Sequence, residues 1–160
     1  MSMKHLTFFK FFSQFGAESP SSYAIAHAAI ESGFGSSNLA KKHNNYFGLS
    51  GKDVKMRDGR HFASYTTPNA CIASYQNLIA TKYPHAAQAI SPSAYVSALI
   101  FGGYGGKGFR HTPQAYAYTK QFIAMHAKIK TAQSLHEIEI KTECESAFLG
   151  IFLLFYTLLK

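Results

Sequence analysis

The chain predicts a mainly α-helical fold with one small β-hairpin, an α+β domain in which helices dominate. Three observations carry this reading. Ser, Thr or Pro repeatedly stands just before an apolar stripe at helical spacing, as at the start of a capped helix. Only Val54 to Tyr65 alternates weakly, about Arg57-Asp58-Gly59-Arg60, and Asp-Gly between extended segments is a strong hairpin signal. At 160 residues and 47% apolar content, the chain has the length and composition of one folded domain with an extra piece at its C-terminus.

The elements follow in order. Residues 1–18 read as an N-terminal amphipathic helix, because Phe8, Phe11, Phe12 and Phe15 recur at helical spacing. The run LTFFKFFSQF is interrupted by Lys10, Ser13 and Gln14, and no small-residue cleavage site follows it. It therefore does not read as a secretory signal. Glu18 to Ser22 breaks the chain and supplies a Ser N-cap. The next helix runs to about Ser32 and stops at Gly33, with Ala24, His27, Ala28 and Glu31 sharing one face. Gly33 to Ser37 is a turn, Ser37 to Lys42 a short helix, and NNYFGLSG (44–51) a loop entering the hairpin. Thr67-Pro68-Asn69 opens a helix bearing Ile72, Tyr75 and Ile79; Pro84 opens a short one; Ser91-Pro92-Ser93 opens another bearing Tyr95, Val96 and Leu99. The glycine-rich stretch 102–108 is a flexible loop, and Pro113 opens a last helix to about Lys130.

The folded domain is thus placed at 19–130, and 131–160 is read as a polar linker with a short apolar tail. That tail, AFLGIFLLFYTLL (147–159), is shorter than the ~20 residues a helical membrane span requires. The acidic stretch Glu137 to Glu145 before it disfavours anionic lipid. Weak, reversible membrane association is the most it implies.

Charge is uneven. Residues 1–130 hold fourteen Lys and Arg against four acids, which points to an anionic partner. No helix-turn-helix, zinc-finger spacing or RNA-binding aromatic motif accompanies the charge, so nucleic acid is set aside. Two cysteines, Cys71 and Cys144, make no disulfide framework. No cofactor is called for. His27 and Glu31 at i, i+4 lack a third ligand at diagnostic spacing, so no metal is expected either.

The chemistry centres on AIAHAAIESGFGSSNLAKKHNNYFGLSG, residues 24–51. Of the four acids before residue 130, Glu18, Asp53 and Asp58 fall in turns or loops, and Glu31 alone sits on a packed helix. Desolvation there is expected to raise its pKa, and a carboxyl group protonated near neutral pH is what a general acid needs. The order helix, Glu-Ser-Gly, aromatic-Gly-Ser, then Asn-Asn-aromatic-Phe-Gly resembles the bacterial endo-β-N-acetylglucosaminidase domain of glycoside hydrolase family 73. That family includes the hydrolase domain of the flagellar rod-assembly protein and many autolysins. The resemblance spans about Ser19 to His126.

The resemblance implies a lysozyme-like fold, a helical lobe and a small β lobe with a cleft between them. It implies a peptidoglycan hydrolase that cuts the β-1,4 bond after N-acetylglucosamine in the cell envelope, with Glu31 as catalytic acid. Delivery by a partner secretion machine, release by lysis as for an endolysin, and a membrane-associated tail all stay open. So do a muramidase or lytic transglycosylase of similar fold, and a wall-binding module without turnover.

A second carboxylate is often found in the family's β lobe, and here Asp53 and Asp58 are the candidates. Asp58 sits in the Asp-Gly turn, where turn geometry alone favours Asp over a catalytic role, and the substrate's acetamido group is the alternative to both. Tyr104 matches a Gly-Tyr element whose Tyr approaches the catalytic Glu. Asn45, Tyr46 and Phe47 match the element in which Asn fixes the loop and an aromatic lines the sugar site. The family's Tyr-Ala is matched by Tyr116-Ala117 and less well by Tyr118, with helix packing as the competing role. His27 stands where Gln is usual and is expected to be neutral and to hydrogen-bond Glu31.

Overall fold

Five helices begin where a hydroxyl side chain satisfies a free backbone N–H. In the computed structural model, Ser21, Ser37, Thr67, Ser91 and Thr112 accept from the amides of Ala24, Ala40, Ala70, Ala94 and Ala115 at 3.1–3.3 Å. Pro occupies the first turn behind three of these caps, where its missing N–H costs nothing. The structure describes residues 3–14, 21–106 and 108–158, with side chains described to residue 147. Phe15, Glu18 and the apolar side chains of the tail lie outside them.

The order is α1 (Met3–Ser13), α2 (Ser22–Ser32), α3 (Asn38–His43), β1 (Ser50–Lys55), β2 (His61–Phe62), α4 (Pro68–Lys82), α5 (Pro84–Ala87), α6 (Pro92–Phe101), a 3-10 turn (Phe109–His111) and α7 (Pro113–Leu158). The fold is mainly α with one antiparallel two-stranded sheet. Lys55 pairs with His61 and Val54 with Phe62, and an irregularity follows between Ser50 and Val54. Asp58 closes the connecting turn by accepting from the Arg60 amide at 3.1 Å and its Nε at 2.8 Å.

The small residues of α2 let neighbours approach from all sides. Ala24, Ile25, Ala26, His27, Ala28 and Ala29 are all buried, with α7 and α1 packed against the helix. Phe12, Phe47, Ile72, Tyr75, Val96, Leu99, Phe122 and Ile129 fill the core around it. Apolar surface on this scale is the main stabilising term. α2 ends because Gly33 takes the left-handed conformation, φ 57°, and caps the carbonyls of Ala29 and Ile30.

α7 corrects one expectation. It does not stop near Lys130 before a polar linker but runs on as helix to Leu158. Residues 113–149 contain no internal Pro or Gly, so nothing in the backbone ends it. α1 also docks on the extension: Ala132 is fully buried, Phe9 meets His136 edge-on at 5.9 Å, and Lys10 pairs with Glu139 at 2.6 Å. Among the described residues, no helix is long and apolar enough to cross a membrane.

Candidate active site

Glu31 occupies the last turn of α2 and opens into a cleft of about 740 Å³. Gly48, Leu49, Ser50, Arg60, His61 and Phe62 line it from the loop and hairpin side. Ser74, Asn77, Leu78, Thr81 and Lys82 line it from α4, and Tyr104 with its glycine neighbours from the loop after α6. Glu31 is the only carboxylate among the described lining residues. The cleft lies between the helical body and the hairpin, as in a lysozyme-like fold.

The motif residues around Glu31 have separate tasks. Ser32 donates to the Ala28 carbonyl at 2.6 Å and accepts from the Gly35 amide at 2.8 Å, fixing the turn below the carboxylate. Gly48, at φ 63°, faces it from the opposite loop; a Cβ there would come within 3.8 Å of Oε2. Glycine takes that left-handed conformation without strain, and a side chain there would stand in van der Waals contact with the carboxylate.

A phenol and an imidazole converge on Oε1. Tyr118 Oη donates to it at 2.7 Å, and His27 Nε2 stands 3.6 Å away. The Glu31 side chain is about a quarter exposed (26%). Its pKa runs against the sequence expectation. Burial alone raises it, but the facing imidazole of His27 and the hydrogen bond of Tyr118 together pull it below the ordinary carboxylate value. The partners lie four residues away on α2 and on α7, which packs against α2, so burial of the helix alone gave the wrong sign. Tyr118 and Tyr104 are pushed the other way, by burial first and then by the Glu31 charge, so both phenols stay protonated donors.

Tyr104 lines the cleft, donates to the Phe47 carbonyl at 3.3 Å and lies edge-on to His27 at 4.7 Å. His27 is fully buried, with Nδ1 hydrogen-bonded to Tyr75 Oη. Asn45 is buried too. Its amide donates to the carbonyls of Leu49 and Ala63, and its Oδ1 accepts from the Leu49 amide, each at 2.9 Å. Asn45 therefore ties the loop to the hairpin, and no side-chain donor is left for a ligand.

Phe47 is fully buried and stacks on Tyr75 at 3.8 Å, so it is core. Tyr46 turns the other way, against Phe11 and Phe12 of α1. Neither aromatic is among the cleft-lining residues. Tyr116 is 65% exposed, and Tyr118 is the tyrosine that reaches Glu31. Helix geometry explains the choice. Tyr118 lies one turn before buried Phe122, on the face that continues through Met125 to Ile129, and Tyr116 lies off it.

Asp53 and Asp58 are both engaged inside the hairpin. Asp53 accepts from the Ser64 amide at 2.9 Å and Asp58 pairs with Arg60 at 2.7 Å. Neither lines the cleft among the described residues. Sequence reasoning passed over the α4 wall. Its signal was a helical wheel with Ser74, Asn77 and Thr81 on the side away from Ile72 and Ile79.

The family profile described as "Glucosaminidase: Mannosyl-glycoprotein endo-beta-N-acetylglucosaminidase" matches residues 14–134. No curated protein matches the sequence. Among solved structures, the chain is similar to one from a type VI secretion system effector-immunity complex of Pseudomonas protegens. The two share 20% identity at a TM-score of 0.59, over 81% of this chain and 96% of that one, a likeness of fold.

Proposed function

The chain belongs to the glucosaminidase family of glycoside hydrolases, and on that premise we propose that it hydrolyses peptidoglycan at the β-1,4 bond after N-acetylglucosamine, with Glu31 as general acid. One observation carries the reading: among the described residues Glu31 is the lone carboxylate lining a cleft between the helical body and the hairpin, with a phenol hydrogen-bonded to it and an imidazole 3.6 Å away. In the free cleft the lowered pKa favours the anion. A glycan filling the cleft strips the remaining water from the carboxylate and raises its proton affinity at the moment the acid is needed.

In this mechanism Glu31 protonates the glycosidic oxygen as the bond to the anomeric carbon breaks. With no second carboxylate among the described lining residues, the leaving sugar departs as its alcohol and the acetamido oxygen of the N-acetylglucosamine unit that bears the anomeric carbon bonds that carbon and stabilises it. Water then attacks the anomeric carbon, Glu31 takes its proton, and the acid is regenerated. Asp53 and Asp58 serve the hairpin in this reading, and Tyr104 and the polar face of α4 hold the sugar. The site of action is the cell wall.

The lone carboxylate also favours a second reading, a lytic transglycosylase, in which no water enters and an intramolecular hydroxyl closes the ring. Mass spectrometry of fragments released from purified peptidoglycan separates the two. New reducing N-acetylglucosamine ends are expected. Reducing N-acetylmuramic ends would move the cut to the alternate bond, and 1,6-anhydromuramic ends would install the second reading. Tight binding with no release would reduce the domain to a wall-binding module.

A further inference from the structure

Behind Glu31 lies a run of buried polar groups that acid catalysis by a lone carboxylate does not itself require. His27 is 0% exposed, Tyr75 1% and Tyr95 3%. Tyr95 Oη meets Tyr75 Oη at 2.5 Å, and Tyr75 Oη meets His27 Nδ1 at 2.5 Å. On the other side of the ring, Nε2 has no hydrogen-bond partner and stands 3.6 Å from Glu31 Oε1. A buried ring nitrogen without a partner is costly unless it is aimed at something that uses it.

The direction of the chain follows from its end. If Tyr95 donates to Tyr75, and Tyr75 to Nδ1, the ring proton sits on Nε2 and faces the carboxylate. With a neutral ring, the opposite order would set an imidazole lone pair against a carboxylate oxygen, a repulsive contact. The first order is the one assigned.

We propose that His27 is a positioning residue for Glu31: held from behind by Tyr75 and Tyr95, its Nε2–H joins the Tyr118 hydroxyl on Oε1 and leaves Oε2, on the Gly48 side, as the oxygen that carries the catalytic proton. This rests on the reading of Glu31 as the acid. His27 thereby sets the pH at which Glu31 gains its proton. The titratable groups facing the pair are Tyr75 from α4, Tyr95 from α6, Tyr104 from the following loop and Tyr118 from α7. All are phenols. Arg60, His61 and Lys82 line the same cleft, with no ion pair to Glu31 among the described residues.

The test is carboxyl-carbon NMR titration of the full chain labelled in Glu, with the Glu31 resonance assigned by its loss in Glu31→Gln. The same variants are then assayed for kcat/KM against pH on purified peptidoglycan. His27→Met is expected to raise the Glu31 midpoint by on the order of one pH unit, and the basic limb of the activity profile with it. His27→Gln restores a donor and is expected to return both toward the native values. Tyr75→Phe keeps the ring stacked on Phe47 and removes only the brace, so a smaller upward shift is expected. Should His27→Met not fold, Tyr75→Phe decides alone. An unmoved midpoint in the folded variants overturns the proposal. Full activity of Glu31→Gln would instead remove the acid reading, while the titration still decides whether His27 controls the carboxyl.

Discussion

Tyr118 and Asn45 show how differently two polar side chains serve one cleft. Tyr118 donates directly to the carboxylate at 2.7 Å. Tyr118→Phe keeps the ring and removes that bond. Activity on peptidoglycan is expected to fall roughly tenfold, a loss of about 1.4 kcal/mol, with little change in melting temperature. A drop in Tm with unchanged kcat would assign Tyr118 to packing instead. Asn45→Ala is expected to act the other way round. It leaves the Leu49 amide and the Leu49 and Ala63 carbonyls without their side-chain partner, at a cost of roughly 2–3 kcal/mol read by denaturant unfolding.

Glu31 also gives the stability curve a sign. Its folded-state pKa is depressed, so its contribution is present above the unfolded-state value and is lost as pH falls through the folded one. Acid unfolding of Glu31→Gln is expected to lack that component. Glu31 itself was legible in the sequence as the lone acid on an apolar helix. The sign of its pKa shift was not, because Tyr118 lies 87 residues away in sequence. Tyr46 and Phe47 were placed at the sugar by their motif. Only the packing of α1 and α4 shows one turned to α1 and the other to the core.

At the scale of elements, the helix starts and the hairpin were legible because local chemistry fixes them. A hydroxyl cap or an Asp-Gly turn needs no distant partner. The end of α7 was not legible, because polarity was read as linker. Helical backbone without a breaker, together with the docking of α1, prevails over composition. A chain ending at Lys130 loses Ala132, His136 and Glu139, the residues on which α1 rests. Its Tm is expected to fall by about 3–6 °C, with faster amide exchange confined mainly to α1. A chain ending at Glu145 retains those contacts and is expected to melt with the full chain. Equal melting of the shorter chain would show that the α1–α7 contact adds no stability.

The whole molecule, net +8 and most basic over residues 1–130, meets a substrate whose peptide stems and associated polymers are anionic. Binding to insoluble peptidoglycan is expected to weaken several-fold between low and physiological salt, as screened attraction requires. Salt-independent pull-down would assign recognition to the sugar contacts of the cleft alone. The two lobes, the cleft and the lone carboxylate converge on one claim, that Glu31 supplies the proton that breaks the glycan. The most direct test is the rate of fragment release from purified peptidoglycan by Glu31→Gln against the native protein. The account predicts a loss of roughly 10²-fold or more with the fold intact by circular dichroism and melting. Release by a folded Glu31→Gln at close to the native rate would contradict it.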